Sequence, residues 1–561
     1  MNRQDAATIP ALVRKWARER GSNPFCTFYA ASGETEEVSF AQLYGRSAAY
    51  ARQYKALGIA RGDLIIIILA HSPHLFYSYL GAMLAGAVPS FMAFPTVKQP
   101  LDVYWEDHVA LFERIRPQLV VTYEANVEAA LAALERVAVP LLVARESILD
   151  APPGLPEPDV VEAQLDDVAC LQHSSGTTGA KKGVMLTHRA ILDEVAAYAE
   201  VLEFGDGDRI ASWLPLYHDM GFIACFMSSV VRGTHLIELD PFEWVARPAI
   251  LLDAIETFKA TLCWLPNFAF SHIANLAPRN RTWDLSSVRA FINCSEPCKA
   301  DTMDRFVDRF ADAGITSDRV HVCYAMAENV FGVSQTELSR PPARMRLERD
   351  AFDRGVVAMA HDPSVGVIDI VSCGRPLPGV EVAVRSPDGS EPAAAAIGEL
   401  AVRSPFLFPG YYRMPEKTAQ VLRDGWYSTG DLGFLAGGEV YVTGRVDDMM
   451  IVHGRNYYAH EIEATVNTVS GVAPGRCVAI GVDDARSDAL AVVVLLEREP
   501  DADERMLKRN VKEQVFERTG LGLHSVHIVA AGQLLKTTSG KISRKKNKEL
   551  YLQFAATSVS A

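Results

Sequence analysis

The stretch LQHSSGTTGAKKGVMLTHRA, residues 171–190, combines small hydroxyl side chains and glycines with two adjacent lysines. Gly176, Gly179 and Gly183 allow the backbone to approach an anion closely, and the serines and threonines beside them supply short donors. The spacing departs from the GxxxxGK[ST] pattern, because Lys181 stands where that pattern needs glycine and Gly183 where it needs Ser or Thr. The stretch predicts a phosphate-binding loop. A flexible polar loop that binds no phosphate is the alternative.

Composition limits the classes of protein that the chain can be. Its 561 residues are too many for one core, and 49% hydrophobic with 22% charged residues is typical of a soluble globular protein. The net charge of −14 argues against a nucleic-acid partner held by phosphate neutralisation. The most hydrophobic short run, residues 64–70, is far shorter than the roughly 20 residues of a membrane span. With no signal-peptide pattern at the N-terminus and nine scattered cysteines, we expect a cytoplasmic protein without a membrane span.

The pattern along the chain predicts an α/β fold. Residues 40–95 alternate helical and buried-strand patterns, and the rhythm continues to about residue 295, which indicates βαβ units. After residue 366, short alternating runs split by glycine predict a β-rich subdomain. We expect a large N-terminal domain, 1–445, of two βαβ-layered subdomains plus this β-rich subdomain. A small, mobile α+β C-terminal domain, 446–561, follows, with its hinge near Asp447.

The segment KTTSGKISR, residues 536–544, again combines glycine, hydroxyls and lysines, so the chain carries two anion-friendly loops. Together with four further motifs in the same order, these loops resemble the adenylate-forming superfamily of acyl- and aryl-CoA synthetases, peptide-synthetase adenylation domains and firefly luciferase. The six motifs are SSGTTGAKKG (174–183), NCSEP (293–297), YAMAE (324–328), GWYSTGDLG (425–433), GRVDDMM (444–450) and KTTSGKISR.

The resemblance implies ATP and Mg²⁺ as cofactors and assigns residues to them. The implied phosphate contacts are Ser174, Ser175, Gly176, Thr177, Thr178, Gly179 and Lys182. Glu328 and Thr177 would ligate Mg²⁺, a cation that prefers oxygen ligands. The implied adenine contacts are Ser295, Tyr324, Ala325 and Met326, with Tyr324 stacked on the base. Asp431 would accept hydrogen bonds from both ribose hydroxyls, and Arg445 would be a further ribose contact. An ordinary turn is the alternative at each motif, and a helix-start carboxylate is the alternative for Glu328.

Lys541, in the C-terminal motif, is the implied catalytic lysine. When a carboxylate attacks the α-phosphorus of ATP, two anions meet and negative charge accumulates in the transition state. A mobile ammonium beside the α-phosphate offsets that repulsion, and one such donor is typically worth about 3–4 kcal/mol. A solvated lysine in a basic surface run is the alternative.

The branch of the superfamily is indicated by SWLPLYHDMG (212–221) and LPNFAF (265–270), which most resemble fatty acyl-AMP ligases. His218 would then lie at the mouth of the acyl channel and take part in catalysis; a core histidine bonded to the backbone is the alternative. Aromatic residues near these segments are candidates for the channel wall, although core packing explains them equally well. They are Phe222, Trp264, Phe268 and Phe270.

A further segment, LERDAFDRG (347–355), resembles the insertion that marks acyl-AMP ligases and restrains their C-terminal domain. The resemblance implies activation of a fatty acid to acyl-adenylate with release of pyrophosphate. The acyl group then passes to the phosphopantetheine thiol of an acyl carrier protein. A fatty acyl-CoA synthetase that uses free CoA is the alternative enzyme. A nucleotide-binding regulator with an inactive site and a luciferase-like oxygenase are the more distant alternatives.

Overall fold

The computed structural model describes residues 7–96, 101–149, 161–174, 181–362, 366–386, 395–452, 455–483, 490–536 and 542–559, and at 174, 483 and 554–559 it describes the backbone alone. Its strands are β1 Pro24–Tyr29, β2 Thr35–Ser39, β3 Leu64–Ile67, β4 Val88–Phe91, β5 Leu119–Thr122, β6 Leu141–Val143, β7 Val168–Ser174, β8 Lys182–Thr187, β9 Arg209–Ser212, β10 His235–Glu238, β11 Leu262–Pro266, β12 Ala290–Cys294, β13 Val320–Ala325, β14 Gly332–Gln335, β15 Arg344–Glu348, β16 Val367–Val371, β17 Arg375–Pro376, β18 Glu381–Arg385, β19 Gly398–Arg403, β20 Leu422–Arg423, β21 Trp426–Ala436, β22 Glu439–Arg445, β23 Met449–Val452, β24 Arg455–Tyr458, β25 Val472–Asp483, β26 Leu490–Arg498 and β27 Ser525–Val529.

The α-helices of the described residues are α1 Ile9–Glu19, α2 Phe40–Ala56, α3 His74–Leu84, α4 Leu101–Ile115, α5 Val127–Leu134, α6 Glu146–Leu149, α7 His188–Val201, α8 Ser228–Arg232, α9 Pro241–Ala246, α10 Ala249–Phe258, α11 Asn267–Leu276, α12 Ala300–Phe310, α13 Arg349–Asp353, α14 Pro415–Val421, α15 Ala459–Val466, α16 Glu504–Thr519 and α17 Arg544–Val559. None of them is long and apolar enough to cross a membrane.

Two sheets of parallel strands organise the first 340 residues, as the alternating pattern predicts. One is nine-stranded, in the order β17-β14-β13-β12-β11-β9-β10-β1-β2, with antiparallel strands at its edges and a parallel centre. The other is four-stranded and parallel, in the order β4-β3-β5-β6. Helices cover both sheets because βαβ connections return over the sheet faces. Strands β3 and β5, in the middle of the second sheet, are therefore buried along their whole length.

Helices α2 and α3 show how sequence details fix the packing. Ser39 and Gln42 form a capping box that satisfies backbone donors at the start of α2. Gly81 lies where α3 crosses α2, and a Cβ there would be 2.6 Å from Cβ of Tyr50. Only glycine allows so close an approach between the two helices.

The β-rich subdomain consists of β18, β19, β20, β21 and β22 in one antiparallel sheet, as the short alternating runs predict. The preceding insertion segment forms the hairpin-like pair β15 and β16, with α13 between them. Both features confirm the predicted α/β fold with a β-rich part.

Among its described residues, the chain from β23 onward contains three strands in one sheet, β25-β26-β27, and three α-helices. Two hydrophobic clusters lie wholly within it, whereas the largest cluster and one other lie wholly within the residues before 445. A fifth cluster joins the insertion to Tyr458. The domain boundary at residue 446 and the mobility of the C-terminal domain stay predictions.

Candidate active site

The predicted phosphate loop connects two antiparallel strands, β7 and β8, with Ser174 opposite Lys182. Residues 175–180 lie outside the described residues, and with them the predicted contacts Ser175, Gly176, Thr177, Thr178 and Gly179. The side chain of Ser174 is also not described. Among the predicted phosphate contacts, Lys182 is therefore the residue whose side chain the structure describes.

Lys182 and Glu328 both contact Tyr411, which lies between β19 and α14. The Tyr411 hydroxyl donates to Oε1 of Glu328 at 2.7 Å, and Nζ of Lys182 lies 5.0 Å from the centre of the Tyr411 ring. Burial lowers the pKa of Lys182, and the charge of Glu328 opposes that shift. The carboxylate predicted to hold Mg²⁺ and the lysine predicted to hold phosphate thus share one neighbour.

The backbone that presents Glu328 is strained. Glu328 lies in a short 3₁₀ turn, Ala327–Asn329, directly after β13. The next residue, Val330, has φ +64° and ψ −64°, and the N–H of Phe331 donates to the carbonyl of Asn329 at 2.7 Å. This is a γ-turn of the rare, strained kind, and a β-branched residue there costs on the order of 1–3 kcal/mol. Surrounding contacts must stabilise this turn. In one of them, Oε1 of the buried Glu194 accepts a hydrogen bond from the N–H of Gly332 at 2.8 Å.

Three predicted nucleotide contacts converge where the ends of β13 and β22 meet the middle of β21. The Tyr324 hydroxyl donates to Oδ2 of Asp431 at 2.6 Å, and Nε of Arg445 lies 3.1 Å from Oδ1. Asp431 and Arg445 are register partners on neighbouring strands, which fixes their approach. Burial raises the pKa of the Asp431 carboxyl, and Arg445 and then Tyr324 oppose the shift.

The remaining predicted adenine contacts lie at neighbouring strand ends. Ser295 follows β12 directly and has φ +67°, a left-handed conformation uncommon outside glycine. Ala325 ends β13, and the N–H of Met326 donates to the carbonyl of Phe331 at 2.8 Å. Because β12 and β13 are adjacent and parallel, their carboxyl ends bring Ser295 and the 324–326 segment to one edge of the sheet.

His218 precedes a buried π-helical segment, Met220–Met227. Its Nδ1 lies 2.6 Å from Oδ1 of Asp219, and its carbonyl accepts from the N–H of Phe222 at 2.8 Å. The side chain is 27% exposed, so the ring borders a solvent-accessible space. Of the four candidate channel aromatics, Phe222, Trp264 and Phe270 are buried in the core, and Phe268 is exposed.

Lys541 lies outside the described residues, but the helix that follows it is described. Arg544 binds Glu463 at 2.6 Å and Asp448, beside the predicted hinge, at 2.7 Å. Two residues further on, Nζ of Lys546 lies 3.0 Å from Oδ2 of Asp107 on α4. The start of α17 is therefore tied both to the hinge segment and to the large N-terminal body.

Helix α4 also holds the end of the predicted phosphate loop. Nζ of Lys181 lies 3.2 Å from Nε2 of His108, and the Arg114 guanidinium donates to the Lys181 carbonyl. Burial lowers the pKa of Lys181 to about 8. The Lys181 side chain thus packs against α4 in the body of the protein.

The insertion segment contacts the part of the chain beyond 446. Arg349 binds Glu461 of α15 at 2.6 Å and the buried Asp353 at 2.9 Å. Asp350 and Arg455 are 3.2 Å apart, and the rings of Phe352 and Tyr458 pack with their centres 5.7 Å apart. Ion pairs and apolar packing thus join the two parts at one place.

The donor set fits a nucleotide with a divalent cation. A carboxylate has about four lone-pair sites. Asp431 uses two of them for Tyr324 and Arg445, which leaves two for a vicinal diol. Mg²⁺ is commonly held by one or two carboxylates together with substrate phosphates, and Glu328 supplies such a carboxylate close to Lys182.

A family model described as AMP-binding enzyme matches residues 13–412. The chain belongs to the AMP-binding enzyme family. This AMP-binding enzyme is 28% identical to the long-chain-fatty-acid–AMP ligase FadD26 of Mycobacterium bovis, over 97% of both chains. It is also 28% identical to the putative fatty-acid–CoA ligase fadD25 of Mycobacterium tuberculosis, over 99% of both chains.

Among solved structures, this AMP-binding enzyme is similar to one from a study of fatty acyl-adenylate ligases from E. coli and L. pneumophila. The TM-score is 0.89 at 25% identity, over 99% of both chains. The resemblance inferred from the six motifs and the α/β fold are thereby confirmed. The roles of the individual site residues stay predictions.

Sequence reasoning missed several residues of this enzyme's candidate site. Tyr411 is the most central of them, and an aromatic pair after Pro-Gly in FPGYYRMP was its only signal. The Tyr427 hydroxyl lies 3.4 Å from that of Tyr411. Tyr427 belongs to the motif GWYSTGDLG, in which Asp431 is the predicted contact. Lys546 belongs to the C-terminal basic run, but no local pattern pairs it with Asp107, 439 positions away.

Proposed function

We propose that the protein activates a fatty acid with ATP to an acyl-adenylate and then loads the acyl group onto the phosphopantetheine thiol of an acyl carrier protein. The observation that carries the first step is the contact of Tyr411 with both Glu328 and Lys182. It joins a cation and a carboxylate at the end of the predicted phosphate loop. The names of the relatives, FadD26 and fadD25, support a fatty acid as the substrate.

In the first step, a carboxylate oxygen of the fatty acid attacks the α-phosphorus of ATP. The bond from that phosphorus to the bridging oxygen breaks, and pyrophosphate leaves with the electron pair. Lys182 offsets charge on the phosphates, while Asp431 and Arg445 hold the ribose. Lys541 offsets charge at the α-phosphorus. Mg²⁺ bound with Glu328 would supply further neutralisation of the leaving pyrophosphate.

In the second step, the thiol sulfur attacks the acyl carbonyl carbon, AMP leaves with its phosphate oxygen, and the thiol proton passes to solvent. The contact of the insertion with α15 supports a carrier over free CoA. Arg349 and Glu461 tie the two parts of the chain together, and a rotation of the smaller part would have to break that pair. A packed insertion therefore biases the equilibrium against a second pose.

Transfer to free CoA is the second candidate, and the name of the fadD25 relative favours it. The two candidates differ in the acceptor alone. We therefore propose to measure AMP release from ATP and a fatty acid with no acceptor, with CoA, and with a phosphopantetheinylated carrier protein. Faster turnover with the carrier than with CoA supports the proposal, and efficient acyl-CoA formation contradicts it.

The adenylation step has its own test in pyrophosphate exchange into ATP. Exchange that depends on a fatty acid is the expected result, with acyl-adenylate identified by mass spectrometry. The Lys541→Ala variant should lose about 10²–10³-fold in exchange rate. The matched control is Lys545→Ala, which removes a neighbouring lysine of the same basic run. Unchanged exchange in Lys541→Ala would remove that lysine from catalysis.

A further inference from the structure

A cavity lies between the four-stranded sheet and the hairpin of β7 and β8. We name it the His188 cavity and define it by the lining residues Leu64, Met83, Val88, Met185 and His188. About 260 Å³ of this cavity admits the centre of a water molecule. An apolar cavity of about 150 Å³ already binds benzene, so the His188 cavity is large enough for an aromatic ring with a substituent.

The His188 cavity lies at the amino ends of its strands. Leu64, Val88 and Val168 line it, and they are the first residues of β3, β4 and β7. The predicted phosphate loop follows the other end of the seven-residue strand β7, about 20 Å away at about 3.3 Å per residue. None of the described residues that line the cavity is a predicted contact for nucleotide, metal or acyl chain. A ligand in the cavity is therefore able to bind together with the substrates.

The charged side chains of the lining neutralise each other. Among the described residues of the lining, the charged ones are Arg61 and Asp167, and Nη2 of Arg61 lies 2.5 Å from Oδ2 of Asp167. Both side chains are partly exposed, so their ion pair lies where the cavity meets solvent. A charged ligand would have to break this pair or enter an apolar space without a counter-ion. The lining therefore favours an uncharged ligand.

His188 supplies a polar group to the inner wall. The residue is 4% exposed, and among the described residues its Nδ1 has no hydrogen-bond partner. Burial lowers the pKa of the imidazole to about 4, although the charge of Asp167 opposes the shift, so the ring is neutral at pH 7. A neutral imidazole has one nitrogen that donates and one that accepts. A hydroxyl group does both, and it therefore matches this ring in either tautomer.

The apolar part of the wall favours an aromatic ring. Met83 of α3 and Met185 of β8 both line the cavity, and methionine thioethers pack favourably against aromatic rings. Leu64, Val88 and Val168 add aliphatic surface from three strands. A flat ring between these side chains buries its faces against carbon and sulfur and leaves its substituent free to reach the imidazole.

We propose that the His188 cavity is a second small-molecule site and that its ligand is an uncharged aromatic ring that bears a hydroxyl group. The ring packs among the aliphatic and thioether side chains, and the hydroxyl hydrogen-bonds the His188 imidazole. This site is independent of the proposed function, because it shares none of the residues assigned to adenylation.

The test measures binding of four probes to the whole chain by isothermal titration calorimetry. The probes share a methylphenyl group and are p-cresol, toluene, 4-methylbenzoate and 4-methylbenzylammonium. We expect p-cresol to bind with a Kd below about 1 mM. Toluene should bind about five-fold or more weakly, because it leaves the imidazole without a partner. Both charged probes should bind at least about ten-fold more weakly than p-cresol.

Variants locate the binding. Ala163 lines the cavity, so Ala163→Phe fills it with a ring of the protein and should abolish binding of p-cresol. The matched control is Glu162→Phe, the same new side chain at the neighbouring exposed position, and it should bind p-cresol like the unmodified protein. His188→Phe keeps a ring and removes both nitrogens, so it should make the affinities for p-cresol and toluene equal.

Binding of p-cresol should persist with saturating ATP or dodecanoic acid, because the sites are separate. Displacement by either substrate would place the probe in the active site and overturn the inference. Absence of binding, equal affinities of the unmodified protein for p-cresol and toluene, or tighter binding of a charged probe also overturns it, even if Ala163→Phe does not fold.

Discussion

The hydroxyl of Tyr324 donates to Oδ2 of Asp431 at 2.6 Å, although 107 positions separate the two residues along the chain. The bond joins the residue predicted to stack on adenine to the residue predicted to hold the ribose. Arg445 completes the arrangement on the other carboxylate oxygen. The predicted nucleotide contacts thus bind one another, and side chains held in place in this way cost less to order around a ligand.

Tyr324→Phe should raise KM for ATP by about ten-fold and change kcat less. The variant keeps the ring and removes only the donor to Asp431, and a hydrogen bond to a charged group is worth about 1.5–3 kcal/mol. Initial rates at varied ATP concentration measure the effect. Tyr441→Phe removes a hydroxyl from a ring stacked on Phe434 in the same subdomain and serves as the control. Equal KM values in all three proteins would contradict the prediction.

Tyr411→Phe should lower kcat about ten-fold and raise the Mg²⁺ concentration needed for half-maximal rate. The change removes the donor that orients Glu328 and leaves the ring beneath Lys182 in place. Pyrophosphate exchange across a Mg²⁺ titration is the measurement. Tyr412→Phe, at the next position, should behave like the unmodified protein. A Mg²⁺ dependence identical in both variants would show that Tyr411 does not act through Glu328.

Asp107→Asn should slow adenylation about two- to five-fold at low salt, with KM for ATP unchanged. Lys546 and Asp107 are both partly exposed, and such pairs contribute about 0.2–1 kcal/mol. The pair ties the helix after Lys541 to the large body, so its loss lets that segment leave the site. The double variant Asp107→Lys/Lys546→Asp should recover most of the rate.

The control for this pair is Asp102→Asn, an exposed carboxylate in the first turn of the same helix. The difference between Asp107→Asn and the unmodified protein should shrink as salt is added, because screening weakens the pair. Single-turnover adenylation at two ionic strengths measures both points. A defect that is the same at high salt, or that the charge swap does not repair, would contradict a docking role.

Glu461→Gln should increase acyl-CoA formation about five-fold or more and leave acyl-adenylate formation unchanged. It removes one charge of the pair between the insertion and α15 but leaves Arg349 bound to Asp353. Couplings between two poses are typically worth 5–150-fold. The control is Arg346→Gln, which breaks an ion pair between β15 and β16 and leaves the Arg349–Glu461 contact in place. CoA use that does not rise would mean that this contact does not restrain the smaller part.

Glu194→Gln should raise the free energy of unfolding above that of the unmodified protein at pH 8 and leave it unchanged at pH 5. Burial raises the pKa of Glu194 to about 8, from a usual value of 4.5. Between these pH values the folded form keeps a proton that the unfolded form releases, so the stability of the unmodified protein falls as pH rises through this window. The difference is on the order of a few kcal/mol, at about 1.4 kcal/mol per pH unit.

Denaturant unfolding of both proteins across pH 5–8 measures this effect. The two curves should coincide near pH 5 and separate toward pH 8, where the variant is more stable. Glu200→Gln, on the same helix at an exposed position, should follow the unmodified protein. Parallel curves for Glu194→Gln would show that this carboxyl is ionised in the folded state.

Much of the fold follows from local pattern. Runs such as LIII and the apolar spacing of residues 40–56 predict β3 and α2 because strands and helices bury side chains at different periods. The six motifs also predict which residues form the site. The contacts among those residues join distant segments, and no local period encodes them.

The missed residues illustrate that limit. Tyr411 and Glu238 have no motif around them that separates them from other aromatic and acidic residues. Tyr411 matters because the chain returns there to contact Glu328, 83 positions away. Glu238 differs from exposed acidic residues because its surroundings leave one oxygen without a partner among the described residues.

The sequence by itself determined the family, the α/β class and the chemical type of each predicted contact, because these depend on side-chain chemistry and on short-range periodicity. Only the tertiary structure decided that Asp431 binds both Tyr324 and Arg445. It also decided that the insertion forms an ion pair with α15. It alone decided that Glu238, at the end of β10, is buried. The physical reason is that burial and long-range hydrogen bonding are properties of the packed chain, and they set the charge state and partner of a residue whose identity is already fixed.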